Sequence, residues 1–395
     1  MRIQGNLAMR GAPLSVLGAL AGRISWRTYT LFGILAVVWI SLGILTNGLF
    51  LSARNLSVLG LQFLTVALLS LGMMFIIVSG NIDLSPGSAV YFLAVIGTQL
   101  QVERGWPTIP VVLVMLLGGL LIGTVNGLCV RWLRVPAFIA TMASMLYLRG
   151  VALVIAGGLN MAGMRDSFTA IANGVLPPGW TAGVVIFSCT LFVLWQVRGR
   201  IREARTGLIP RPFGSVAVRV LLAIGTALVA LWLYTDGLPI PVLFLALVAG
   251  LWMYMARNTK FGRHVYAIGG NPEACRLAGI DIGRTVLLVF VIMGLLYGLA
   301  SVYLTARLSG APFQMSVFME LDVIAACVMG GTSLAGGRGT VMGAIVGALL
   351  MESLTNGMSL MGLTGFWQYV SRGAILLIAV WIDQALSAKV ERVKV

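Results

Sequence analysis

Twelve apolar runs, most of them close to the length of a membrane span, dominate this sequence and restrict the folds that it can adopt. A helix of about 20 residues spans a hydrocarbon core of about 30 Å. Only 10% of the residues are charged, against roughly 25% in soluble domains. The chain is therefore predicted to be an all-α, polytopic transmembrane helical bundle. The predicted spans cover residues 30–50, 57–79, 88–101, 108–130, 137–157, 181–197, 215–235, 239–257, 285–305, 320–336, 340–360 and 367–385.

The lysines and arginines concentrate in every second connection between these runs. With both termini in the cytoplasm, nineteen of them fall on the cytoplasmic side and four outside, namely Arg54, Arg104, Arg165 and Arg307. This asymmetry is the one that sets membrane orientation, so both termini are predicted to be cytoplasmic. The net charge of +15 then reflects membrane topology and contact with anionic lipid. Nucleic acid is not expected as a partner.

Two polar, glycine-containing breaks interrupt the apolar pattern. One is SGNIDLSPGS (79–88), and the other is GGTSLAGGRGT (330–340), which two acidic residues precede. Non-helical backbone at membrane depth is tolerated only where it lines protein or a water-filled path, so interrupted helices beside a translocation pathway are predicted. The alternative is that both breaks are tight turns at the membrane edge. The predicted pathway residues, all able to hydrogen-bond a polyol, are Asn81, Asp83, Ser85, Glu320, Asp322, Thr332 and Ser333.

Further polar side chains lie inside the apolar runs. Glu352 and Arg372 fall in the last two runs, and ionisable residues inside a membrane are candidates for function by default. They can equally pair with each other between adjacent helices. Asn126, Asn356 and Gln368 are weaker candidates, because single amides often bridge transmembrane helices.

A polar, basic segment, FGRHVYAIGGNPEACRLAGIDIGRT (261–285), separates the eighth and ninth runs. Pro272 suits the first turn of a helix, Glu273 suits its positive end, and Gly279 can end it. A short, mostly exposed helix is therefore predicted. On the cytoplasmic side such a helix can dock a soluble partner, although an ordinary interhelical loop would show the same pattern.

The sequence has no pattern typical of catalysis or metal binding. It contains no G-x-x-x-x-G-K-[ST], no G-x-S-x-G and no H-E-x-x-H, and so lacks a phosphate-cradling loop, a nucleophile elbow and a zinc helix. Cys129, Cys189, Cys275 and Cys327 are far apart, and His264 is the single histidine, which fits neither a disulfide framework nor a metal centre. We predict that the chain is not an enzyme and needs no cofactor or metal. Uphill transport would then use an ion gradient or a separate ATPase.

The segment GRHVYAIGGNPEACRLAGI (262–280) resembles the coupling segment of permeases from bacterial ABC monosaccharide importers, the ribose, xylose and galactose type. LSARNLSVL (51–59), SGNIDLSPGS and ELDVIAACVMGGTSLAGGRGTVMGAIVGALL (320–350) agree, so the similarity runs from about residue 50 to 383. The block with the sixth and seventh runs and the ending FWQYVSRGAILLIAVWID (366–383) are most similar to D-xylose permeases. Asn81, where many members have Gly or Glu, and Cys275, where they have Ala, depart from the pattern. The first departure leaves the substrate open.

The resemblance implies an inner-membrane permease that translocates a monosaccharide, D-xylose or another pentose, into the cytoplasm. It implies cytoplasmic ABC ATPase subunits, a periplasmic sugar-binding protein and a second permease copy as partners. About ten core helices in two inverted repeats are expected, with an additional helix pair, although the two halves do not align convincingly by sequence. The alternative is an ion-gradient-coupled secondary transporter of a small polar solute. ATPase-coupling residues are expected at Gly269, Asn271, Glu273, Ala274, Gly279 and Ile280.

The predicted organisation is a single membrane domain with short cytoplasmic ends. A cytoplasmic N-terminal segment (1–29) precedes a transmembrane permease domain (30–385), and a cytoplasmic tail (386–395) follows. Within the domain, residues 181–235 form an insertion and residues 258–284 form the coupling loop.

Overall fold

A computed structural model describes residues 26–205, 213–235 and 237–392 of the chain. These residues form fifteen α-helices, one π-helical turn and four two-residue strands, so the prediction of an all-α bundle is confirmed. Most of the predicted N-terminal segment (residues 1–25), part of the basic connection (206–212) and the end of the predicted tail (393–395) lie outside the described residues.

The helices follow one another with short connections. The π-helical turn Gln99–Glu103 continues the third helix, and the strands form two antiparallel pairs: β1 (Met161–Ala162) with β4 (Gly310–Ala311), and β2 (Val175–Leu176) with β3 (Leu238–Pro239). The helices are α1 (Trp26–Leu45), α2 (Ala53–Val78), α3 (Pro86–Thr98), α4 (Thr108–Arg131), α5 (Ala137–Ile155), α6 (Asp166–Asn173), α7 (Pro178–Arg205), α8 (Phe213–Leu233), α9 (Ile240–Asn258), α10 (Lys260–Gly270), α11 (Pro272–Leu277), α12 (Ile282–Leu308), α13 (Met319–Met329), α14 (Val341–Leu360) and α15 (Gly365–Arg392).

Each predicted apolar run holds a helix, but the helices differ in whether they can cross a membrane. By length and hydropathy, seven of the described helices can do so, namely α2, α4, α5, α7, α9, α12 and α14. Helix α3 has 13 residues and α13 has 11, which corresponds to about 20 Å and about 16 Å of rise, short of a hydrocarbon core of about 30 Å. The tenth run was predicted to reach residue 336, but α13 ends at Met329 because the chain turns at Gly331 with a φ of +84°. Both helices are therefore half-helices.

The second half of the chain repeats the helix order of the first half, but its first helix runs in the opposite direction to that of the first half. In the first half, α2 leads through residues 79–85 into the half-helix α3, and α4 and α5 follow; in the second, α12 leads through residues 309–318 into α13, and α14 and α15 follow. Helices α2 and α12 are antiparallel, since the Tyr303 hydroxyl donates to the Leu61 carbonyl while Gly72 faces Met293. Helix α12 packs on α3 and α4, as α2 packs on α13 and α14. This is the arrangement of an inverted repeat.

An arginine from the fourth helix of each half holds the half-helix of the same half. Arg149 of α5 lies over the ring of Tyr91 in α3, 4.2 Å from its centroid. Arg372 of α15 forms an ion pair of 3.2 Å with Asp322 of α13. Arg372 thus pairs with Asp322 and not with Glu352, the partner considered from the sequence, because α15 packs on the half-helix α13.

Helices α4 and α12 meet along a seam of glycines. A Cβ atom on Gly123 would lie 2.3 Å from the Phe290 carbonyl oxygen, and one on Gly119 would lie 2.4 Å from the Gly294 carbonyl oxygen. Small residues allow this backbone contact, which is the usual basis of tight helix packing in membranes. The seam joins the first half of the chain to the second.

Helices α7 and α8 lie beside this core. They pack against each other, and α8 touches α2, where the Ser57 hydroxyl donates to the Leu233 carbonyl over 3.4 Å. Their exposed side chains include Trp180, Phe187 and Leu228, as expected for helices that face lipid.

Candidate functional site

Helix α11 is a short exposed helix at one end of the bundle, with its first turn fixed by a side-chain cap and its end fixed by backbone hydrogen bonds. The Asn271 side chain accepts a hydrogen bond of 3.0 Å from the Ala274 amide, which satisfies one of the free donors of the first turn. The chain leaves the helix at Gly279 with a φ of +75°, the left-handed conformation that commonly ends helices. The predicted short helix is therefore confirmed. Cys275 is buried, whereas Leu277 is 87% exposed.

Helix α10 attaches this exposed helix to the bundle. Val265 and Ile268 are buried, and the Tyr266 hydroxyl donates to the Gly339 carbonyl over 2.8 Å. Burial raises the pKa of the Tyr266 phenol, with a smaller opposing effect of Arg257, so the hydroxyl stays protonated and remains a donor at neutral pH.

Gly269 makes the closest contact between α10 and the bundle. A Cβ atom there would lie 1.7 Å from the Val78 carbonyl oxygen and 2.5 Å from the Gly337 amide nitrogen. These two groups are hydrogen-bonded to each other over 2.9 Å. Gly269 therefore touches the last residue of α2 and the connection that leads into α14, so α10 is packed directly against both.

The predicted coupling residues occupy two different environments. Gly269 lies at the packed contact just described, while Ile280 is half-buried where the chain turns toward α12. The remaining four are exposed on or beside α11, namely Asn271, Glu273, Ala274 and Gly279. The exposed residues can meet a soluble partner, and Gly269 can pass the resulting force inward.

The first polar break holds a fully buried hydrogen-bond network. The Asp83 Oδ1 accepts from the amide and the hydroxyl of Ser85 over 2.8 and 2.7 Å, and the Tyr297 hydroxyl donates to Asp83 Oδ2. The Asn126 amide donates to the Ser85 hydroxyl over 3.1 Å. These bonds fasten residues 83–85 to α4 and α12. Buried polar groups need such partners, because an unpaired one costs several kcal/mol in hydrocarbon.

The other predicted pathway residues lie in several places. Asn81 is half-buried and donates to Ser79. Glu320 is buried in the first turn of α13, where its carboxylate packs against Gly87 at the start of α3. The structure thus brings the beginnings of the two half-helices together.

Asp322, Thr332 and Ser333 complete the predicted set. Asp322 binds Arg372 through Oδ2, but its buried Oδ1 has no hydrogen-bond partner among the described residues. Thr332 is likewise buried, with its Oγ1 unpartnered in the described part of the chain, and the Ser333 amide donates to the Arg338 carbonyl over 2.9 Å. Thr332 and Ser333 lie in the connection that α10 touches.

A polar cavity of about 240 Å³ opens at the other end of α2 and α14. Its polar lining comes from Gln62 and Thr65 of α2, Arg307 of α12, and Glu352, Thr355, Asn356 and Ser359 of α14. Along α2, Thr65 is about 20 Å from Val78 at 1.5 Å per residue. The cavity and the α10 contact therefore lie toward opposite ends of the same helices.

The cavity was not predicted, although its spacing is visible in the sequence. Glu352, Thr355, Asn356 and Ser359 recur at positions i, i+3, i+4 and i+7, which places them on one face of a helix. Glu352 and Asn356 were considered singly, and only the pattern shows that they share a face. None of the seven predicted pathway residues is among the described residues that line this cavity.

Comparisons with known proteins find a matching family and several similar permeases. The family described as "branched-chain amino acid transport system / permease component" matches residues 55–380. The chain is 45% identical over 344 residues to the xylose transport system permease protein of Escherichia coli, with 86% of this chain and 87% of that protein covered. It is 38% identical over 374 residues to the protein of that name from Haemophilus influenzae, with coverage of 93% and 98%.

A third similar protein is the ribose import permease protein of Escherichia coli. The identity there is 32% over 334 residues, with 85% of this chain and 87% of that protein covered. No solved structure matches the chain.

Proposed function

This chain belongs to the branched-chain amino acid transport system / permease component family, and from its similarity to xylose permeases we propose that it carries D-xylose or another pentose into the cytoplasm. It is a multi-pass inner-membrane protein and the non-catalytic permease component of an ABC sugar importer. The similarity to two xylose permeases is higher than to the ribose permease, which favours xylose. Family membership disfavours the ion-coupled alternative.

The observation that carries this function is the exposed helix α11, held through α10 on the ends of α2 and α14. We propose that it fits a groove of a cytoplasmic ATPase subunit, with Asn271, Glu273, Ala274, Gly279 and Ile280 in or beside the docking surface. ATP-driven closure of the motor subunits then pushes α10 through Gly269. The exposure of Leu277, at 87%, supports a docking surface, because a large apolar side chain in water gains free energy when a partner covers it.

The remaining parts of the assembly follow from the same proposal. A periplasmic sugar-binding protein delivers the sugar, and a second copy of the chain completes the permease. Both termini are cytoplasmic, as the distribution of lysine and arginine favours. Helices α7 and α8 are an addition to a core of about ten helices, which their position beside α2 supports.

We assign the cytoplasmic part of the pathway to the two polar breaks. Residues 330–340 and Val78, the residue before the segment 79–85, meet at the α10 contact, so movement of α10 would act on both breaks. The buried oxygens of Asp322 and Thr332, which have no hydrogen-bond partner among the residues that the structure describes, can bind a passing hydroxyl group. Glu320 and Ser333 lie close to Asp322 and Thr332 in the chain. Asn81, Asp83 and Ser85 lie in the other polar break.

The direct test is reconstitution. The chain, purified with its ATPase and its sugar-binding protein and placed in vesicles, is expected to take up D-xylose only when ATP is supplied. Omission of the ATPase should abolish uptake. Uphill uptake by this chain alone, driven by a proton or sodium gradient, would refute the proposal.

Substitution of Leu277 tests the docking surface. The change Leu277→Ser is expected to weaken association with the ATPase at least about tenfold, because burial of a leucine contributes roughly 1.5–3 kcal/mol. Thermal stability should stay within about 0.5 kcal/mol of the original, as for other surface changes. Leu133→Ser is the matched control, since Leu133 is 70% exposed in the turn between α4 and α5. Equal binding by both variants would exclude Leu277 from the docking surface.

A further inference from the structure

We infer that the cavity between α2, α12 and α14 is a sugar-contacting stretch of the translocation pathway, in which a monosaccharide is held by hydrogen bonds to Thr65, Gln62 and Glu352. The inference rests on the proposed sugar transport and adds to it a place in the protein where the sugar is bound.

The lining offers hydrogen-bonding groups that no other described residue uses. The Thr65 hydroxyl is buried, with Thr65 only 2% exposed, and has no hydrogen-bond partner among the described residues, yet Thr65 lines the cavity. Gln62 accepts from the Asn356 amide over 3.2 Å through its carbonyl oxygen, and no described residue accepts from its own amide group. Since a sugar hydroxyl both donates and accepts, it matches both groups.

Two charged side chains face the same space. Glu352 and Arg307 line the cavity. Arg307 and Arg372 both attract the Glu352 carboxylate electrostatically, but within the described part of the chain neither Glu352 nor Arg307 has a hydrogen bond or a close ion pair. A charged group inside a membrane protein is expensive unless it faces water, a partner or a passing substrate. A carboxylate and a guanidinium are also the strongest hydrogen-bonding groups that a neutral polyol can meet.

The size of the cavity suits a single sugar ring. Its 240 Å³ is the liquid volume of about eight waters at ~30 Å³ each and lies below the roughly 300–1,000 Å³ of pockets for drug-sized ligands. A monosaccharide fits such a space, and an oligosaccharide does not.

The cavity is linked to the coupling segment by continuous helices. Helix α2 is unbroken between Thr65 at the cavity and Val78 at the α10 contact. Helix α14 is likewise unbroken between the cavity residues and the connection that α10 touches. A push on α10 therefore reaches the cavity through rigid elements without a separate relay. Since a pathway must release its substrate, a few polar contacts on moving helices are more useful than a tight site.

The test uses the complete complex in vesicles, with D-xylose uptake and ATP hydrolysis measured together. Thr65→Val keeps the side-chain shape and removes only the hydroxyl, and is expected to lower uptake about three- to tenfold; Glu352→Gln should lower it at least about tenfold. Thr305→Val is the matched control, because its hydroxyl is also buried and unpartnered among the described residues but Thr305 is not in the lining. It should transport at the original rate.

A third variant separates blockage from misfolding. Thr355→Trp fills the cavity and is expected to reduce uptake at least about tenfold while sugar-loaded binding protein still stimulates ATP hydrolysis. If this variant fails to fold, Thr65→Val and Glu352→Gln decide the matter, because neither changes the volume. If the unaltered complex takes up D-xylose and both variants match the Thr305→Val control, the cavity is not part of the pathway. If the unaltered complex takes up no D-xylose, the proposed function itself fails.

Discussion

Addition of one methyl group at Gly269 is expected to disable the protein, while the same change at Gly270 is expected to be harmless. In Gly269→Ala the new Cβ would lie 1.7 Å from the Val78 carbonyl oxygen, and no flexible side chain can move away to relieve the clash. Either α10 separates from α2 or the hydrogen bond from Gly337 to Val78 breaks. Overpacking of this kind costs about 1–3 kcal/mol, and more where backbone is involved.

The expected result is a lower melting temperature and a loss of more than about tenfold in sugar-stimulated ATP hydrolysis by the assembled complex. For Gly270→Ala, no atom lies within 4 Å of the new Cβ, and alanine is otherwise favoured over glycine within a helix by roughly 0.5–1 kcal/mol. This variant should be as stable as the original or slightly more so. If the two variants behave alike, the contact at Gly269 does not transmit force.

Removal of the Tyr297 hydroxyl is expected to destabilise the bundle, and removal of the Tyr91 hydroxyl is not. In Tyr297→Phe, Asp83 Oδ2 loses its buried donor, and the loss of a hydrogen bond to such a group costs about 1.5–3 kcal/mol. The Tyr91 hydroxyl is equally buried but has no partner among the described residues. In Tyr91→Phe the ring remains for Arg149, so the cation–π contact persists.

Thermal unfolding in detergent, followed for both variants together, checks this expectation. Both changes delete one oxygen atom from a fully buried tyrosine, so the difference between them isolates the hydrogen bonds of the Tyr297 hydroxyl with Asp83 and Ser85. A melting temperature lowered equally in both would mean that the hydrogen bonds of the Tyr297 hydroxyl add nothing specific to the stability of residues 79–85.

The sequence was sufficient to predict the helices and the short exposed helix. Long apolar runs leave few alternatives in lipid, and Pro272 and Gly279 are strong local signals for the ends of α11. The predicted break at residues 330–340 agrees with the end of α13 at Met329, but the apolar run extends to residue 336 because the small residues after Met329 are compatible with helix or turn until the φ at Gly331 is known.

The inverted repeat and the buried contacts could not be derived in this way. The repeat is a property of helix order and direction, which two diverged halves preserve without similar residues. Tyr297 is indistinguishable in sequence from an ordinary core aromatic, and its bond to Asp83 joins residues that are far apart in the chain. The partner of Arg372 likewise depends on which helix α15 touches, a choice that residue type does not determine.

The glycine seam between α4 and α12 has a mechanical consequence. With backbone against backbone there is no layer of side chains that could yield under load, and protein interiors are in any case poorly compressible. Helix α12 has 27 residues and is about 40 Å long; it starts beside α11 and ends at the cavity. Braced in this way, α12 is expected to behave as a stiff rod: a displacement applied at the end beside α11 should arrive at the cavity end almost undiminished, with little lost to elastic deformation.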